Sequence, residues 1–314
     1  MQSYAIYGIT LETDLVFRWP LPTSTSAPDV DFTCTREAPI AVDWDAAPPI
    51  FATPRGHTDE AGITFHRLPG VDVIRFGGNA DHYLWPERIV CHLPDLSLAW
   101  LAEIQLLGMV LGLWLERRGT ITLHASANVI AGNGVAFLGT KGGGKTTIAT
   151  ALTAAEHPLL VDDLLALDTT GHQVLAQPGY PLLRLWPEQA DHFIGHHESL
   201  PLVHDGFTKR RASVGQHLGS FHADAVPLRR IYLPDRTDGG ALAIEPVTSR
   251  DALIATVRHA FLPEAVHAYG LAAMRLKTFA EVLRTVGVRR LTYPNGFERL
   301  PEVVAAIEQD ISAD

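Results

Sequence analysis

Up to about residue 90 the apolar positions fall in short runs: Tyr4 to Thr10, Asp31 to Thr35, Ile63 to Arg67 and Val71 to Phe76. Breaks such as Trp19-Pro20-Leu21-Pro22 and Phe76-Gly77-Gly78 separate them. Short runs bounded by Pro and Gly predict strands joined by loops, and so a small β-rich domain over residues 1–95. Pro20, Pro22, Pro28, Pro39, Pro48, Pro49 and Pro54 crowd a stretch of little periodicity, which predicts a long irregular excursion within 20–60.

The pattern then changes period. From Pro94-Asp95 onward, Leu98, Leu101, Ala102, Gln105, Leu106 and Met109 recur at helical spacing until Gly119, predicting a helix that joins the two halves. Two apolar strand candidates follow, Ile121 to Ile130 and Gly134 to Leu138, with Ala131-Gly132-Asn133-Gly134 as the turn between them. A glycine-rich loop, a helix from Thr146 to about Ala155 and a strand Leu159 to Val161 come next. The order β–loop–α–β predicts an α/β nucleotide-binding core within a second domain, residues 96–314.

Composition narrows the function classes. A chain of 314 residues has room for about two domains, and 46% hydrophobic with 19% charged residues is the make-up of a folded globular protein. A net charge of −10 has the wrong sign for gripping nucleic acid or an anionic membrane. Cys34 and Cys91 lack CxxC spacing and read as small buried hydrophobes in a reducing compartment. The start, Met1 to Tyr7, shows neither a cationic nor an apolar leader segment, so a cytoplasmic location is the expectation. The most apolar stretch, Leu106 to Leu115, is too short to cross a bilayer and is expected to be a buried helix.

The strongest chemical signal is Gly139-Thr140-Lys141-Gly142-Gly143-Gly144-Lys145-Thr146, a full match to GxxxxGK[ST] between a strand and a helix that continues through Thr147. Glycines let the backbone turn its N–H groups toward an anion, Lys145 reaches the terminal phosphates of ATP, and the Thr146 hydroxyl can ligate Mg²⁺. Asp162-Asp163 ends the next strand, where open α/β sheets bind ligands. One carboxylate of such a pair can hold Mg²⁺ while the other accepts the proton of an attacking hydroxyl. His124, in Leu123-His124-Ala125-Ser126, lies on the strand before the loop, where a lone His is more often a core residue than a functional one.

Taken together, Leu123-His124-Ala125-Ser126, Val135 to Gly139, the phosphate loop and Leu159 to Asp163 resemble the catalytic core of the HPr serine kinase/phosphorylase family. The likeness is greatest to the shorter kinases encoded beside lasso-peptide biosynthesis genes. It covers about residues 100–260 and extends to the aromatic-rich start at Tyr4 and to the segment Pro181 to Pro187. The resemblance implies a phosphate-loop kinase core of the HPr kinase/phosphoenolpyruvate carboxykinase type. It also implies Asp162 as catalytic acid/base, His124 near the transferred phosphate, and Asp163 as its partner on the metal. The acceptor it implies is a serine of a lasso-peptide precursor. No Arg-Gly-Xaa-Gly turn is present, Ser213-Val214-Gly215-Gln216 being no match, which argues against HPr itself.

Between residues 205 and 236 the cations Lys209, Arg210, Arg211, Arg229, Arg230 and Arg236 outnumber Asp205, Asp224 and Asp235. Lys209 and Arg210 are the candidates for substrate or phosphate contacts, against the alternative of a solvated face. His192, His196, His197 and His204 contain one i,i+4 pair but no zinc-site pattern. The sequence thus predicts an ATP- and Mg²⁺-dependent serine or threonine kinase of a peptide or protein, without nucleic-acid or membrane partners. A nucleotide-gated regulatory protein and a small-metabolite kinase are the alternatives, and a homo-oligomer is compatible with each.

Overall fold

A computed structural model describes residues 1–53, 62–204 and 207–313; Pro54 and Asp205, named above, lie outside them. The chain forms two compact units, Met1–Thr120 with Leu262–Met274, and Ile121–Phe261 with Arg275–Asp314. The division falls after Thr120, not after residue 95, because the apolar helix belongs to the first unit's core, and a later segment returns to that unit as well.

Among the described residues, eight strands build the first unit: β1 (Gln2–Ile6), β2 (Ile9–Thr13), β3 (Val30–Thr35), β4 (Phe51–Ala52), β5 (Ile63–Leu68), β6 (Val71–Phe76), β7 (Ala80–Leu84) and β8 (Arg88–His92). They form one sheet in the order β1-β2-β3-β8-β7-β6-β5-β4. The Tyr4–Thr10 run is a hairpin, since Tyr7 and Gly8 both take positive φ and reverse the chain. Cys34 and Cys91 are register partners on parallel β3 and β8, both free. Cys91 is buried and Cys34 half-buried.

The helical run extends from Leu96 to Arg117, as α1 (Ala99–Gln105), a π turn at Leu106–Val110 and α2 (Leu111–Arg117) after one 3-10 turn. At 22 residues it is long and apolar enough to span a hydrocarbon core, contrary to the expectation from Leu106 to Leu115 alone. It packs into the unit instead of standing clear of it: Leu106, Leu107, Val110, Leu111, Leu113, Trp114 and Leu115 are buried. Its buried polar groups have protein partners, with Gln105 Oε1 2.7 Å from His82 Nε2 and Glu103 accepting the Arg18 N–H at 2.9 Å.

The second unit holds β9 (Ile121–Ile130), β10 (Asn133–Leu138), α3 (Lys145–Ala154), β11 (Leu159–Val161), β12 (Leu164–Asp168), β13 (Leu175–Ala176), β14 (Leu182–Leu185), α4 (Pro187–Ile194), β15 (Arg210–Ser213), β16 (Val226–Thr237), β17 (Ala243–Pro246), α5 (Ser249–Arg258), β18 (Gly287–Pro294) and α8 (Leu300–Ser312). Between α5 and β18 come α6 (Pro263–Ala268), in the first unit, and α7 (Ala272–Val282). The sheet runs β10-β9-β12-β13-β16-β18-β17, and β10 also pairs in parallel with β16, so its first five strands close on themselves. β11 and β12 lie in line along the same edge of β9, interrupted only by Asp162-Asp163.

α3 and α8 cover this sheet through a core that includes Phe137, Ile148, Leu152, Tyr232, Leu291 and Ile307. Asn128, fully buried on β9, donates to the Ala149 and His157 carbonyls and to Thr153 Oγ1, tying the strand to α3. Phe137 and Tyr232 stack at 5.7 Å directly behind the glycine-rich loop. Truncating Phe137 to Ala is expected to cost about 3–5 kcal/mol of stability in urea denaturation, through lost burial and the cavity left behind.

Candidate phosphate-binding site

β10 delivers the chain to Gly139 and α3 takes it away at Lys145, so the loop lies at the C-terminal end of a strand and the N-terminus of a helix. Gly142 and Gly144 adopt left-handed φ of 80° and 93°. At Gly144 a side chain is excluded twice over, because a Cβ there would collide with the Tyr293 hydroxyl. Tyr293 on β18 and Arg236 on β16 are register partners, and the Arg236 guanidinium donates to the Gly142 carbonyl. Two strands thus support the loop from beneath. Lys145 is 7% exposed, its ammonium donating to the carbonyls of Gly139 (2.8 Å) and Thr140 (3.2 Å). Burial lowers its pKa, opposed by the charges of Asp162 and Asp163.

The aspartates occupy the break between β11 and β12, level with Ala125 and Ser126 of β9, and Asp163 takes φ 89°. Asp162 Oδ1 accepts from Ser126 Oγ at 2.6 Å and from Thr146 Oγ1 at 3.0 Å. That second bond joins the phosphate loop to the aspartate pair. Asp163 lies between a histidine and an arginine: His124 Nδ1 is 3.1 Å from Oδ1 and the Arg184 guanidinium 2.7 Å from Oδ2. Burial pushes the Asp163 carboxyl up, but Arg184 and His124 outweigh it and hold the group below the usual carboxylate range. Arg184 also receives help from the Tyr180 hydroxyl, 2.9 Å from its second nitrogen.

Around this center the predicted residues divide. Thr147 faces α4, where its hydroxyl accepts from Gln189. Lys209 lies over the Trp186 ring at 5.1 Å. Its pKa is lowered by burial, with Asp162 and Asp163 pulling the other way, which places it within electrostatic reach of both carboxylates. Arg210 instead donates to the Leu200 carbonyl. Thr140, Lys141 and Gly143 remain in the loop, Gly143 N–H closing a turn onto the Thr140 carbonyl. The histidines are spread among other partners: His197 bonds Asp191, His192 stacks on Phe297 and His204 on Phe207.

Four site residues, Ser126, Arg184, Tyr293 and His259, are not read from the sequence, and Arg236 enters there only as one cation of the 205–236 stretch. Ser126 and Arg184 stood inside segments singled out there, but nothing in a linear pattern shows which carboxylate they meet. His259 follows α5, and its carbonyl accepts the His124 N–H at 2.9 Å. Burial lowers its imidazole pKa to about 4, reinforced by the positive charges of Lys145, Arg258 and His124.

No protein-family model and no curated protein matches the chain. Among solved structures it is similar to the HPr(Ser) kinase/phosphatase from Coxiella burnetii, at 12% identity and a TM-score of 0.34, over 61% of this chain and 97% of that one.

His259 generates a pH dependence. An unfolded histidine titrates near 6.5, and the folded one near 4, so its contribution to stability is fully present above about pH 6.5 and is lost as pH falls toward 4. His82, also lowered to about 4 by burial, adds a decline of the same sign in the first unit. Thermal melts between pH 7 and 4 are expected to show this decline, and His259→Asn to make it shallower.

Proposed function

We propose that the chain is an ATP- and Mg²⁺-dependent kinase that phosphorylates a serine or threonine hydroxyl of a peptide or protein. One observation carries the reading: the 3.0 Å bond from Thr146 Oγ1 to Asp162 Oδ1, which puts a carboxylate beside the hydroxyl that ends the phosphate loop. The arrangement suits phosphoryl transfer, in which positioning and charge stabilisation supply most of the catalysis. The loop N–H groups and Lys145 hold the phosphates. The acceptor oxygen attacks the γ-phosphorus, the bond to the bridging β–γ oxygen breaks, and Asp162 takes the acceptor's proton.

Among the described residues no group of three or more His, Cys, Asp or Glu is arranged to hold a metal by itself. The Thr146 hydroxyl, with Asp163 as the carboxylate left over from the proton-accepting role, fits Mg²⁺, which keeps waters and binds through one or two protein oxygens together with phosphates. When bound it would neutralise charge on the phosphate oxygens. Asp163, met on both oxygens by His124 and Arg184, holds those two groups in place and would be the carboxylate on the metal's side of the pair. Lys209 supplies a cation beside the aspartates for an acidic acceptor. The acceptor suggested by the sequence resemblance is a lasso-peptide precursor, phosphorylated on serine in the cytoplasm.

Saturating Mg-ATP is expected to raise the melting temperature, with about 2.7 kcal/mol of stabilisation at 100 times its dissociation constant. Lys145→Ala should remove most of that gain in a thermal-shift assay; a wild-type protein indifferent to Mg-ATP would exclude nucleotide binding.

Asp162→Asn is expected to keep Mg-ATP binding yet slow phosphoryl transfer about 10²–10⁴-fold. The measurement is label transfer from radioactive ATP to a precursor peptide, and full turnover by the variant would remove Asp162 from the proton-accepting role.

A further inference from the structure

The parallel strands β16 and β18 support the phosphate loop at their C-terminal ends, through Arg236 and Tyr293. At their other ends, six residues back along β16 and so roughly 20 Å away, a hollow of about 410 Å³ opens. Its wall is Arg229, Arg230 and Arg284, with Leu283 and the backbone of Thr285 to Gly287. Three guanidinium groups and no carboxylate line this hollow, on a chain whose net charge is −10. Guanidinium groups gathered around one volume raise the local positive potential there, whatever the sum over the chain.

The hollow has a fixed floor. Arg230 is 5% exposed, and its Nε is 3.2 Å from Asp310 Oδ2. The same aspartate accepts from the Tyr232 hydroxyl at 2.7 Å and lies 3.6 Å from Arg289, so it is anchored from three sides. The Arg230 guanidinium in turn lies against the Cα of Gly287, where a Cβ would strike it. Gly287 is therefore the residue that leaves room for the arginine in the wall. Arg229 and Arg284 are both exposed.

We propose that this hollow is a second anion site, separate from the phosphate loop, that takes a small phosphorylated molecule. Guanidinium groups match phosphate oxygens in pairs of parallel hydrogen bonds. The volume exceeds what one phosphate fills and lies at the lower end of small-molecule pockets. A compound carrying two phosphoryl groups meets all three arginines.

Pyrophosphate is the probe, titrated calorimetrically into the Lys145→Ala protein so that the phosphate loop contributes little. One site per chain is expected, with affinity that falls as salt rises. In the same background, Arg229→Glu with Arg284→Glu should weaken binding more than about tenfold, equal to about 1.4 kcal/mol. The neutral pair Arg229→Gln with Arg284→Gln should give a smaller loss, and guards against misfolding by charge reversal. In the wild-type background both pairs should leave Mg-ATP affinity within about threefold, a result that separates this site from the kinase reading. Absence of pyrophosphate binding to Lys145→Ala at millimolar concentration, or binding that survives both double substitutions, would overturn the assignment.

Discussion

The hydrogen bonds onto Asp162 Oδ1 are the constraint on which the site depends. A carboxylate only 8% exposed is costly to keep unless donors meet it, and two hydroxyls do so, from Ser126 on β9 and Thr146 on α3. The bonds fix the start of the helix against the sheet at the point where the phosphate loop turns. They also require the chain between β11 and β12 to leave regular pairing. Consecutive residues of a strand point to opposite faces, yet Arg184 meets both Asp162 and Asp163. The left-handed Asp163 and the interrupted register make that possible.

The loop itself needs support of another kind. Gly144 can be only glycine because Tyr293 fills the space where a side chain would go, and Arg236 fixes the Gly142 carbonyl from the neighboring strand. The loop's conformation is thus set by β16 and β18, elements that start about eighty residues or more beyond it in sequence. A net charge of −10 describes the chain poorly at either end of these strands. Arg236 and Lys145 stand at one end, and Arg229, Arg230 and Arg284 at the other. Local fields follow the placement of charges, and a sum over the chain does not report them.

What the sequence displays are the elements whose pattern repeats over short range. Val71–Phe76 and Ile121–Ile130 have the bounds that their apolar runs predict, and α3 starts one residue from the predicted position. β7 escapes such reading because it is buried on both faces and carries Asp81 and His82. Their polarity hides a strand whose charges are met elsewhere, Asp81 by Arg75 at 3.1 Å and His82 by Gln105 at 2.7 Å. The phosphate loop and aspartate pair were legible since each is a compact local motif. Arg184, Tyr293, Arg236 and His259 were not, because their meaning comes from contacts across tens of residues to more than a hundred.

The two aspartates show how adjacent identical side chains come to differ. Asp163 is held by an arginine and a histidine, charge-assisted partners that strongly favour the ionised form. To protonate it would break the bond to Arg184 and leave a half-buried guanidinium without that charge. Asp162 takes its hydrogen bonds from two hydroxyls and, at 3.4 Å, the Arg184 backbone N–H, none of which bears a formal charge. A hydroxyl can rotate from donor to acceptor. Ser126 and Thr146 can therefore change their role toward Asp162 by turning a hydroxyl, as Arg184 and its guanidinium cannot toward Asp163. Of the two carboxylates, the one met by neutral donors is the one in contact with the glycine-rich loop.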